Sequence, residues 1–64
     1  MIGNTNFKIV YVCKDIDFLN GKFWVDFAEE NEVGNTFSRE KCFNDIISAT
    51  LFKNELIGRY LKNQ

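Results

Sequence analysis

Gly21-Lys22-Phe23-Trp24-Val25-Asp26-Phe27-Ala28-Glu29-Glu30 decides the fold. Phe23, Val25 and Phe27 alternate with Lys22, Trp24 and Asp26, the period of a β-strand with one buried face. Asn20-Gly21 stands just before it, a strong turn signal. The acidic side chains Glu29, Glu30 and Glu32 follow. A strand is predicted over residues 22–28, with Trp24 on the face opposite Phe23, Val25 and Phe27. A Trp exposed there is a natural anchor for a partner.

Working upstream, residues 7–14 read as a first strand, rich in β-branched and aromatic side chains. Phe7, Ile9, Tyr11 and Cys13 fall on one face; Lys8, Val10, Val12 and Lys14 fall on the other. Both faces are partly apolar, which predicts a central strand. A strict two-residue Asn20-Gly21 turn would pair Leu19 with Lys22 and set Lys14 opposite Phe27. A longer loop or a bulge within residues 15–21 resolves that conflict. Phe18 and Leu19 then sit at the loop base, as a cap on the sheet edge or part of a contact patch. Residues 1–6 are polar and read as a loose lead-in.

Downstream, residues 29–34 read as a turn, with Asn31 and Gly34 suited to left-handed backbone angles. Residues 33–37 are a candidate short third strand. Ser38 is the expected N-cap of the main helix. Cys42, Phe43, Ile46, Ile47, Thr50 and Leu51 recur at helical spacing and are expected to pack on Phe23, Val25 and Phe27. Leu56, Ile57, Tyr60 and Leu61 form a second stripe, on a continuation of that helix or on a separate one capped at Asn54. This stripe is the candidate surface for self-association. The expected architecture is α+β: a small antiparallel sheet of two or three strands (residues 7–37) packed against one main helix, with a C-terminal helical segment (residues 38–64). The whole makes one domain.

A chain of 64 residues buries little core. With 16% aromatics, seven of them Phe, it is expected to build a Phe-rich core or to share one in a homodimer. The net charge of −1 argues against direct nucleic-acid binding. Residues 1–32 carry three basic against six acidic side chains, a net of −3; residues 33–64 carry five against three, a net of +2. No apolar run spans a membrane and no secretory pattern opens the chain, so a cytoplasmic protein is expected, in a bacterium or a phage-infected cell. Cys13 and Cys42 read as free thiols.

The chain has no His, which removes Ser-His and Cys-His nucleophile arrangements. The two cysteines lack zinc-site spacing. Carboxylate pairs stand at Asp15 with Asp17 and at Glu29 with Glu30, but acid–base or metal chemistry needs them walled into a cleft, for which a domain this small has little room. Neither an enzyme nor a cofactor is expected. A protein that works by binding another protein is.

The order strand, acidic turn, short polar strand and Ser38-Arg39-Glu40-Lys41-Cys42 resembles the HicB-like antitoxin family over residues 7–50. In that family a Gly-aromatic-aromatic-Val-acid-Phe strand leads through a hairpin to a Thr-x-Glu-Glu-Ala helix start. The match sets Phe27 where the family's Phe-Pro-Asp begins, Ser38 at the capping Thr and Cys42 at the small buried Ala. Ala28-Glu29-Glu30 replaces the Pro-bearing turn, and residues 54–64 leave no room for the family's DNA-binding module. The resemblance implies an inhibitor that covers the active site of a small ribonuclease toxin. Trp24, Asp26, Glu29, Glu30 and Glu32 are the expected contact, since an acidic surface suits a basic RNA-cleaving one. A phage-encoded anti-defence protein, such as an anti-CRISPR inhibitor of a nucleic-acid-handling complex, fits the same features. So does a structural subunit that oligomerises.

Overall fold

A computed structural model describes residues 7–62; the expected lead-in at residues 1–6 lies outside the described residues. The chain runs β1 (Lys8–Val12), β2 (Asp17–Leu19), β3 (Lys22–Glu30), β4 (Thr36–Phe43) and α1 (Ile46–Lys62). It is the expected α+β architecture, one antiparallel sheet under one helix, with a fourth strand that sequence reasoning did not provide.

β3 is the centre. β4 pairs along it from Phe23 to Glu30, while β2 and β1 share its other edge one after the other. The expectation that β1 is central is therefore corrected: among the described strands it pairs with β3 alone. Its two apolar faces have a different cause. Ile9 pairs with Glu29 and Tyr11 with Ala28, so Val10 is an extra residue, a β-bulge. The bulge lets Ile9 and Val12 both face the core while Tyr11 turns outward.

Asn20 and Gly21 have φ of 55° and 75° and join Leu19 to Lys22 directly. Positive φ at both turn positions matches the twist of the flanking strands, which is why Asn-Gly serves here. The turn is tight, and the slack is taken up in residues 13–16, between β1 and β2. Val12, rather than Lys14, consequently faces Phe27. The Cys13 N–H still donates to the Asp26 carbonyl at 2.9 Å.

Glu29 and Glu30 belong to β3, and the turn is shorter than expected. The Asn31 side-chain oxygen accepts from the N–H groups of Val33 (3.0 Å) and Asn35 (2.9 Å), and Gly34 takes φ of 92°. The expected third strand over residues 33–37 is thus displaced and lengthened to Thr36–Phe43.

The helix start requires the main correction. Ser38 lies mid-strand opposite Ala28, and Cys42 lies opposite Trp24. Asp45 caps the helix instead: its carboxylate accepts from the Ser48 N–H at 2.8 Å and the Ser48 hydroxyl at 3.0 Å. From Ile46 onward the inward residues are Ala49, Phe52, Leu56 and Tyr60. Ile47 and Leu51, expected to face the sheet, are 68% and 65% exposed. The helix does cover Val25 and Phe27, with Phe52 meeting Phe27 edge-on at 5.7 Å and Phe43 at 5.3 Å. It continues without a break through Lys53 and Asn54. The Lys53 ammonium donates to the Lys14 carbonyl, tying mid-helix to the β1–β2 connection.

Asp45 gives a first testable expectation. The Ser48 N–H, and then its hydroxyl, hold the Asp45 carboxyl below the usual carboxylate range. A folded pKa below the unfolded one stabilises at pH above the unfolded value, and that contribution is lost as pH falls through the folded one. Asp45→Ala should therefore lower the thermal midpoint near neutral pH, with a gap from wild type that narrows below about pH 4. A gap of constant size down to the acid transition would show that the charge of the cap contributes nothing.

Candidate functional site

Because strand side chains alternate, the sheet has a second face, and α1 lies entirely on the first. β3 sends Lys22, Trp24, Asp26, Ala28 and Glu30 to this open face. β4 adds Thr36, Ser38, Glu40 and Cys42, and β2 adds Asp17 and Leu19. No described element covers it. Its carboxylates come from three strands: Asp17 from β2, Asp26 and Glu30 from β3, and Glu40 from β4.

Asp26 and Glu40 are direct partners in the β3–β4 register. Like charges directly opposite on one sheet face are destabilising. Both line an open depression of about 530 Å³ that also includes Tyr11, Phe27, Ala28, Ser38 and Arg39. Both also line a neighbouring one of about 250 Å³, with Asp17, Leu19, Asn20 and Trp24. The half-buried Trp24 is held in place by its indole N–H, which donates to the Leu19 carbonyl at 3.0 Å. A hydrogen bond with Cys13, followed by charge on Cys13 and the nearby Asp26 and Asp15 carboxylates, pushes the Tyr11 phenol above its ordinary pKa. Tyr11 is 54% exposed and offers its phenol to the open face as a hydrogen-bonding group. A rigid indole and a phenol set among carboxylates suit docking onto a cationic surface.

The five expected contact residues do not form one patch. Trp24, Asp26 and Glu30 share the open face. Glu29 points to the helix side, where it accepts from the Arg39 Nε–H at 3.0 Å. Glu32 lies in the β3–β4 turn. Of the two apolar side chains at the hairpin, Leu19 lines the smaller depression, while Phe18 packs against Phe23 on the helix side with the rings tilted and their centroids 4.8 Å apart. Tyr11, Asp17 and Glu40 were missed. Glu40 was legible only from the alternation Phe37, Arg39, Lys41, Phe43 against Thr36, Ser38, Glu40, Cys42. Tyr11 needed the bulge, which leaves no sequence signal.

The expected self-association stripe is also divided. Leu56 is 1% exposed and so not available to a partner; Tyr60 is half-buried against the core, and Leu61 remains 62% exposed. Among the described residues no group of three or more His, Cys, Asp or Glu side chains is placed to hold a metal ion. Cys13 and Cys42 are both free and half-buried. No described helix is long and apolar enough to cross a membrane. No protein-family model, curated protein or solved structure matches the chain.

Proposed function

We propose that the protein is a non-catalytic inhibitor that docks the open face of its sheet onto a basic surface of a partner protein. The juxtaposition of Asp26 and Glu40 carries this reading. Two carboxylates are set against each other on an uncovered sheet beside a fixed Trp, an arrangement that lowers the stability of the free protein and is relieved by a cationic partner. Trp24 and Tyr11 supply the apolar anchors that dominate such contacts, and Asp17 and Glu40 form their charged surround, while Glu30 stands opposite Lys8 at the margin.

The basic surface of a nucleic-acid-handling protein is the partner of matching chemistry. A small ribonuclease toxin and a phage-defence complex both present one. The HicB-like resemblance adds only the Gly21–Phe27 strand to this argument, since the residues matched to its helix start, Ser38 and Cys42, lie in β4.

The test is capture from a host lysate by the tagged protein, with the double variant Asp26→Lys, Glu40→Lys alongside. Wild type should retain a basic protein at low salt and release it as salt is raised. The variant should retain its circular dichroism and lose the captured protein. Capture that is indifferent to the charge reversal would exclude this face. The identity of the captured protein separates antitoxin from anti-defence protein.

A further inference from the structure

α1 carries a second apolar stripe. Ile47, Leu51, Asn54, Gly58 and Leu61 succeed one another by alternating steps of four and three residues. That is the spacing of a helix–helix seam. At about 100° per residue the stripe lies diametrically opposite the core-facing Ala49, Phe52, Leu56 and Tyr60. All five positions are exposed, Ile47, Leu51 and Leu61 by 68%, 65% and 62%. A Cβ added at Gly58 would meet nothing within 4 Å, so this glycine answers no packing need inside the chain.

We infer that this stripe is the interface with a second copy of the chain, the two helices running antiparallel about a two-fold axis at Asn54. Under that symmetry Asn54 faces its own copy, Ile47 faces Leu61, and Leu51 lies on the same side of the seam as Gly58 and within one residue of its level. Each large side chain at the inner positions thus meets the gap left by a glycine. An Asn carboxamide holds both donors and an acceptor, so two of them across a dyad satisfy each other. A parallel pair would set Gly58 against Gly58, leaving a void, and would align the two helix dipoles unfavourably. Self-complementarity about one residue is what an isologous interface demands and an unrelated partner does not. The need for it is also visible. Among the described residues the fully buried core is only Ile9, Val25, Ala49 and Leu56, and chains this small commonly complete their burial by oligomerisation.

The dimer sets the two open sheet faces outward on opposite sides, two equivalent docking surfaces per assembly. That consequence rests on the proposed function; the dimer does not, and its test uses the free protein.

Sedimentation equilibrium of the full chain between about 1 μM and about 1 mM should give twice the 7.5 kDa chain mass at the upper end. Leu51→Arg and Gly58→Leu should each weaken association roughly tenfold or more with circular dichroism unchanged. In a Cys13→Ser, Cys42→Ser background, oxidation should cross-link Asn54→Cys to its own copy and leave Ile47→Cys unlinked. A chain that stays at single mass throughout, or a dimer untouched by both Leu51→Arg and Gly58→Leu, overturns the interface. Equal cross-linking at both positions overturns the antiparallel pairing. Because none of these readouts involves a partner, failure of the docking face would leave them unchanged.

Discussion

Leu56→Ala should remove most of the stability of the protein, about 2–5 kcal/mol, the range for truncating a buried leucine whose cavity cannot collapse. Leu56 is 1% exposed and packs with Ile9, Val25 and Ala49, the other fully buried side chains. Collapse around the gap is limited on every side. Val25 is fixed by its pairing with Lys41 of β4, and Ala49 has no rotamer freedom with which to fill space. Phe52 is already held between Phe27 and Phe43. A single core at this chain length supplies roughly 3–5 kcal/mol net, so the loss is comparable with the total. Urea titration should show a midpoint driven close to zero denaturant. The control is Val33→Ala, in the β3–β4 turn, where the side chain is 75% exposed and the shift should stay within about 0.5 kcal/mol. A Leu56→Ala loss below about 1 kcal/mol would mean that the helix does not bury this residue against the sheet.

β3 was legible because two local signals agree: Asn20-Gly21 marks a turn before it, and Phe23, Val25 and Phe27 keep a strict period of two; β2 was not, because residues 15–21 read as a connection with a longer loop or bulge, whereas Leu19 pairs directly with Lys22. β4 was anticipated only as a short strand over residues 33–37, and its run to Phe43 was hidden because local and tertiary preferences diverge. Ser38 followed by Arg39, Glu40 and Lys41 reads as a capped helix start, and Cys42, Phe43, Ile46 and Ile47 continue at helical spacing. A nine-residue β3 leaves a row of unpaired N–H and C=O groups along its second edge unless a strand of similar length satisfies it, and residues 36–43 do so. The cost is that Arg39 and Lys41 face the helix side. They tolerate it because β4 is the sheet margin, where long stems lie over apolar surface and the charges reach outward. Arg39 pairs with Glu29 and lies over Phe37 at 5.7 Å; Lys41 lies over Phe52 at 5.5 Å. Charges on a core-side face are what made the alternation of β4 hard to recognise. The acidic partner of Asp26 was lost with it, because a helical reading sends Glu40 to solvent on another element.

Glu40→Lys separates stability from binding. In the free protein it replaces a like-charge pair across β3 and β4 with an attractive one, and Glu40 is exposed, so no packing is lost. The expected change is a gain of about 0.5 kcal/mol, the scale of a cross-strand charge pair. Binding should move the other way. A cation placed at the centre of the acidic face, beside Trp24 and Asp17, meets the cations of the partner, and like charges forced together there cost several kcal/mol, a loss of roughly a hundredfold or more in affinity. Glu40→Gln should fall between, restoring neither attraction nor repulsion. Thermal unfolding of the three proteins, read beside their retention of the captured partner, gives two orderings. The proposal requires them to be opposite, with the most stable variant the weakest binder. That outcome would identify the opposed carboxylates as a feature kept for recognition at the expense of the fold. If stability and retention fall together, Glu40 is a structural residue and the docking face lies elsewhere.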